Sequence, residues 1–381
     1  MEFYTRAFRS IIFYIIKTLK LMKNIPLLLF VLIIIVGFNS CKNTEDPPPI
    51  VGPEIPKEPK DPRKMTWTVD TLDNHESPQL LMDGVCGTNA ADLYIYGHNA
   101  YPGESGGYIY HWNGIAWLPL KMWKFGPTNA MLAFSPANIL FVGKGIGTMV
   151  IKWDGRNFTE TWPSDQVPGE LLCIAGDSPD NIYAGGRNGV VINYNKGSWR
   201  TDNVKISIPQ GGEYFLRGAT VYNDTCFFLG YVTDPANLTN KHYFIKGSYG
   251  NWIVSDSIIE STSTNWKWGW WGLYVTPYNK LWSFGSRGVF EYSDGKWTRL
   301  GLNEFWLTSS VYSFSPNYTV TVGHNGTVYF YDGLTWMKLE KFASGYEHIT
   351  FNAVWGDGNE LFIVGTTYGP WPQKTFIFHG K

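Results

Sequence analysis

The chain has 381 residues, a formal net charge of −1, and a composition that is 44% hydrophobic, 17% aromatic and only 17% charged. That charge balance removes the electrostatic drive toward nucleic acid or an anionic membrane surface. The 41 glycines and the high aromatic share suit an all-β chain with many tight turns rather than a helical assembly.

Residues 1–40 read as a targeting segment. Lys23 precedes an apolar run from Ile25 to Val36, which leads into Gly37-Phe38-Asn39-Ser40-Cys41. A basic start, an apolar core of about 12–14 residues and a small residue before a Cys make a bacterial secretory signal. The run is shorter than the ~20 residues a membrane span needs. Met22 is an alternative start; translation from Met1 would let the second apolar stretch act as an uncleaved anchor. The Ser40-Cys41 ending resembles a lipoprotein lipobox, which implies cleavage before Cys41 and lipidation of its thiol. Residues 41–64 follow as a tether, because the stretch from Pro47 to Pro62 is rich in Pro, Lys and Glu and cannot bury a core. Glu45-Asp46 resembles the export signal of surface-exposed lipoproteins in the Bacteroidota. Asp70-Thr71-Leu72 and Asp256-Ser257-Ile258 are similar to that group's O-glycosylation motif. The resemblance implies an exported outer-membrane lipoprotein at the cell surface, touching the membrane through its lipid anchor only.

From residue 65 to 381 one phrase recurs. It is clearest at Tyr318 to Leu339, where alternating runs are broken by Gly323, by His324-Asn325-Gly326 and by Asp332-Gly333. Period-two alternation punctuated by Gly and Asp-Gly predicts consecutive β-hairpins, since those residues tolerate the positive φ of tight turns. The aligned Gly closes the second strand of seven units, at Gly97, Gly143, Gly186, Gly230, Gly285, Gly323 and Gly365. A hairpin turn follows in each, near Gly114, Gly155, Gly197, Gly250, Gly295, Gly333 and Gly380. Six intervals separate Gly114 from Gly380, a mean period of about 44 residues, which is that of β-propeller blades of four short strands. An aromatic residue follows most hairpins (Trp117, Phe158 with Trp162, Trp199, Trp252, Trp297, Trp336) and is expected to pack between blades.

The predicted fold class is therefore an all-β, seven-bladed β-propeller, with six or eight blades open if the weaker fourth copy is misread. The last unit stops at Lys381 without an outer strand, and Met65-Thr66-Trp67-Thr68-Val69-Asp70 supplies the missing phrase. Pairing of the segment around Trp67 with the strand containing Phe378 would close the ring and remove its open edges. Cys86, Cys173 and Cys226 fall in strands of separate units without C-x-x-C spacing, so they read as buried free thiols, not a disulfide framework or zinc site. No metal or cofactor is expected.

In such a ring, second-to-third strand turns and blade-to-blade connections share one face. The residue after each aligned Gly lies there: His98, Lys144, Arg187, Tyr231, Ser286, His324 and Thr366, with Arg287 one step on. This polar, mildly cationic rim could hydrogen-bond hydroxyls or carboxylates, although turn residues are polar for structural reasons too. Asn265 to Gly272 carries Trp266, Trp268, Trp270 and Trp271 on the same face. Trp266 and Trp268 are candidates for an aromatic platform, while Trp270 and Trp271 are equally readable as the packed start of an inner strand. Two long loops add Tyr101, Glu104, Tyr368 and Trp371.

The hairpins at Asp154, Asp294 and Asp332 loosely resemble the Asp-box of sialidase-type propellers, though only the D-G-x-W or D-G-x-x-W part is present, and Asp-Gly turn geometry explains them. A sialidase-like site would need three arginines; Arg187, Arg217 and Arg287 could face the channel, but the Arg-Ile-Pro phrase is missing. Glu104, Glu213 and Glu347 show no spacing that marks a catalytic pair. The leading expectation is a non-catalytic module that binds a glycan or a surface protein, as a monomer or a subunit of a surface complex. A carbohydrate-active hydrolase or lyase, or a purely architectural role, remains the alternative; fold alone does not decide.

Overall fold

The computed structural model describes residues 58–72, 79–99, 106–123, 126–144, 148–161, 169–260, 266–301, 307–369 and 372–381. Residues 1–57, with the expected targeting segment, Cys41 and most of the expected tether, and Tyr101, Glu104, Trp162 and Trp371 lie outside the described residues.

Seven four-stranded antiparallel sheets form the chain from Glu58 onward. Blades 1 to 6 run consecutively over residues 81–123, 128–161, 171–203, 214–259, 272–299 and 308–338. Blade 4, the weaker copy in sequence, is a complete sheet with strands of 9–10 residues, so the count is seven. Blade 7 takes three strands from residues 349–380 and its outer strand from Trp67–Leu72. The outer strand pairs antiparallel with Thr375–Gly380, placing Trp67 opposite Gly380 and Val69 opposite Phe378. Thr66 and Lys381 exchange both backbone hydrogen bonds just beyond, at 3.0 and 2.9 Å. The predicted closure is present. The compact unit begins before the repeat does: the Lys60 N–H donates to the Gly358 carbonyl, and the Arg63 guanidinium lies over the Phe330 ring.

The aligned glycine has a steric cause. A Cβ on Gly97, Gly143, Gly186 or Gly323 would lie 2.0–2.1 Å from a carbonyl oxygen at the start of, or just before, the neighbouring inner strand. Only Gly permits two strands to approach this closely near the axis.

The core is divided by the same geometry. Seven apolar clusters fill the seven gaps between adjacent sheets, including one between blades 7 and 1 that seals the circle. The outer-strand aromatic of each blade packs against one cluster: Trp117, Phe158, Trp199, Trp252, Trp297, Trp336 and Trp67 in turn. Each fully buried Leu, Ile or Phe side chain contributes about 1.5–3 kcal/mol, so stability is spread around the ring rather than held in a single centre.

Candidate functional site

Near the start of the inner strand, six blades slip register by one residue. The slips fall between Met82 and Gly84, Thr128 and Ala130, Leu171 and Cys173, Leu216 and Gly218, Thr308 and Ser310, and Phe351 and Ala353. A bulge inserts an unpaired residue and re-aims its side chain. The residues so placed are Asp83, Asn129, Leu172, Arg217, Ser309 and Asn352, and all six line a cavity of ≈ 600 Å³ on the ring axis. In blade 5, Trp271 takes the equivalent place just before the inner strand, its N–H bonded to the Phe284 carbonyl at 2.9 Å. A small residue follows at every one of these positions: Gly84, Ala130, Cys173, Gly218, Gly272, Ser310 and Ala353. Crowding explains it, because a Cβ on Gly84 or Gly272 would come within 2.3 Å of the Tyr96 or Phe284 ring.

The charges at the mouth are mostly matched. His98 Nδ1 lies 2.8 Å from Asp83 Oδ2. Burial disfavours the imidazolium, but the Asp83 hydrogen bond and the fields of Asp83 and Glu170 outweigh it and raise the His98 pKa. Arg187 donates through Nε to Glu170 at 2.8 Å and through Nη1 to Glu213 at 3.0 Å. Its guanidinium also lies 4.8 Å from the Phe215 ring centroid, and Phe215 stacks on Tyr231 at 4.8 Å. Asn129 and Asn352 are tied to neighbouring inner strands through Leu171 O and Met82 O, both at 2.8 Å.

Arg217 differs. Its guanidinium sits 3.9 Å above the Trp271 ring and forms no ion pair among the described residues. It is open to the channel interior yet enclosed by protein, and desolvation lowers its pKa, with the fields of Tyr231 and Asp83 and a hydrogen bond to Tyr231 opposing.

The rim residues predicted from sequence divide accordingly. His98, Arg187 and Tyr231 reach the channel, together with Trp271; Lys144, Ser286, His324 and Thr366 do not line it. Lys144 is exposed, burial lowers the pKa of His324, and Thr366 is buried, accepting a hydrogen bond from Asn352. The Tyr368 hydroxyl braces two connections, donating to Glu347 O at 2.6 Å while lying 2.8 Å from the Asn325 side-chain amide.

The tryptophan-rich connection requires a correction. Trp268 is 0% exposed, within the cluster between blades 4 and 5, so its ring is core and offers no platform. Trp266 and Trp270 pack on His242, at 5.2 and 4.9 Å between ring centroids. Trp266 also borders a separate groove with Lys267, Arg287, Trp297 and Arg299, where Lys267 pairs with Asp256 at 2.9 Å. The four tryptophans therefore serve three places and not one surface.

Among the acids considered for hydrolysis, Glu213 holds Arg187 and Glu347 accepts from the Gly345 N–H at 2.8 Å. Asp154 and Asp332 accept backbone N–H bonds within their own hairpins, the turn-fixing role that Asp-Gly geometry predicts. Among the described residues no cluster of three His, Cys, Asp or Glu side chains could hold a metal ion. Cys86, Cys173 and Cys226 are free thiols.

No protein family and no curated protein sequence matches the chain. Solved structures do match. YCF48 bound to D1 peptide shares 13% identity, covering 85% of this chain and 99% of that one with a TM-score of 0.53. The WD40 β-propeller domain of Doa1 shares 12%, covering 82% and 97% with a TM-score of 0.54. The extracellular domain of the putative one component system BT4673 from B. thetaiotaomicron shares 12%, covering 81% of this chain and 40% of that one at 0.51. At such identities the likeness is one of fold: the chain is a seven-bladed β-propeller, an architecture consistent with a binding or scaffold module.

Proposed function

We propose that this protein is a non-catalytic binding module that seats a segment of a protein partner at the mouth of its central channel, held at the cell surface by a lipid on Cys41. The observation that carries the reading is the ring of bulged residues. Six independent strands depart from regular pairing at one level and turn Asp83, Asn129, Arg217, Ser309, Asn352 and Leu172 toward a common space. Bulges are costly to the ladder and recur where side chains are re-aimed for use. A polypeptide ligand is favoured over a glycan because Trp268 is enclosed and the mouth aromatics already carry Arg187, Arg217 or each other on their faces. The peptide-bound state of the YCF48 structure supports the same choice.

A photo-crosslinking side chain placed at Lys144, on the rim, should capture the partner in intact cells, while one at Asp294, on the opposite hairpin face, should not. Capture from Asp294 alone would remove the channel mouth as the binding face. Fatty-acid labelling lost in Cys41→Ala, together with loss of surface accessibility to protease, tests the anchor; labelling that persists in that variant refutes it.

A further inference from the structure

We infer that Arg217, resting on Trp271 inside the channel, is a receptor for a carboxylate carried by an acidic peptide segment. This deepens the channel-mouth reading above and rests on it.

The bases and acids of the channel sort into closed pairs with one remainder. Asp83 is engaged by His98 and Glu170 by Arg187, each at 2.8 Å. Of the three bases that line the channel, His98, Arg187 and Arg217, only Arg217 has no carboxylate within ion-pair distance among the described residues. The guanidinium is exposed to the channel, where its one charged-group contact is 3.9 Å to the Trp271 face, so its charge is left for a ligand to match. The site is preorganised. The bulge at Leu216/Gly218 fixes the backbone beneath Arg217, and Gly218 lets the strand approach blade 5, where an added Cβ would sit 3.3 Å from Gly272 Cα. Trp271 fixes the plane of the fork, so the N–H groups not turned to Tyr231 remain for a planar oxyanion, which Arg recognises bidentately. Ser309 lines the same cavity from blade 6, and its buried hydroxyl has no hydrogen-bond partner among the described residues. A carboxylate entering from the mouth would meet a cation and unspent hydrogen-bond donors. A neutral segment would leave Arg217 uncompensated.

The source of the carboxylate is argued from the aromatic faces. A uronate sugar needs an open ring to stack on, yet Trp271 carries Arg217, and Phe215 carries Arg187 and Tyr231. A Glu or Asp side chain needs only the fork.

Isothermal titration of the full-length protein with acetylated, amidated tetraglutamate, with tetraglutamine and with tetragalacturonate tests this. Tetraglutamate should bind with an affinity that falls as salt rises, and tetraglutamine should not bind. Arg217→Gln should weaken tetraglutamate binding at least about tenfold, as expected for losing a charge-assisted hydrogen bond. Arg217→Lys, which keeps the charge but loses the planar fork, should weaken it by less. Because both variants are read beside their own unfolding midpoints, a folded Lys variant keeps the test decisive should the Gln variant unfold. Equal tetraglutamate affinity in wild type and either folded variant overturns the inference, as does a response to tetragalacturonate alone or to none of the three. Crosslinking from Lys144 reports the binding face without reference to charge, so a captured partner with no acidic-peptide response defeats the carboxylate site alone.

Discussion

Proline at position 68 should open the seam of the ring, whereas proline one residue later should leave it shut. The pairs Thr66–Lys381 and Thr68–His379 lie two apart in an antiparallel ladder, and the first exchanges both backbone bonds. Thr68 and His379 therefore form the next hydrogen-bonded pair, while the N–H of Val69 points away from the sheet. The Trp67–Leu72 strand is the outermost of its blade, so that side faces no further strand. Thr68→Pro removes a ladder bond, about 0.5–1.5 kcal/mol, and strands the carbonyl of the buried His379, about 1–3 kcal/mol more. Together they make a loss of roughly 1.5–4.5 kcal/mol. Val69→Pro loses no ladder bond, Val69 is 39% exposed, and the change should stay within about 1 kcal/mol. Guanidinium chloride unfolding followed by tryptophan fluorescence measures both. Equal midpoints for the two variants, or a larger loss at Val69, would show that the register is not the one described; no loss at either would mean that the seam carries no stability.

Trp268→Ala should destabilise by about 3–5 kcal/mol, as for other buried large-to-small changes, while crosslinking from Lys144 in the folded variant stays unchanged; a cost below about 1 kcal/mol would contradict its burial. His98 should titrate above its ordinary value of 6.5 by NMR, and Asp83→Asn, which leaves burial without the opposing partner, should bring it below. Because the folded value is the higher one, the His98 contribution to stability is complete below pH 6.5 and fades as pH rises through the folded value; a variant with the same titration midpoint would exclude the Asp83 pair as the cause. The buried thiols Cys173 and Cys226 should resist thiol reagents at neutral pH until the protein unfolds, since burial pushes Cys173 up to about 12 and Cys226 well above its usual value. Rapid labelling under native conditions would argue against that burial.

The repeat was legible because its punctuation is enforced by collision. At Gly97, Gly143, Gly186 and Gly323 a side chain would strike a backbone carbonyl, so the glycine has to recur and the period becomes visible. The closing strand was legible for a related reason: Trp67 occupies the same inter-sheet position as Trp297 and Trp336, and its phrase is incomplete without the other terminus. His98 and Arg187 could be placed at the mouth from their offset to the glycine. The channel ring could not, because Asp83, Asn129 and Arg217 look like ordinary strand positions until a bulge redirects them. A trace existed in the small residue that follows each one, which marks where strands crowd the axis. Trp268 was misjudged because a run of tryptophans in a connection suggests solvent exposure, whereas the cluster between blades 4 and 5 extends into that connection and encloses it.

The seventh sheet joins partners 311 positions apart, as between Thr68 and His379. Six sheets can assemble from contiguous stretches, but the seventh must wait for both ends of the chain to meet. Until then the Trp67 strand has no mate and blade 1 has an uncovered flank. A chain interrupted before residue 375 would keep both surfaces bare.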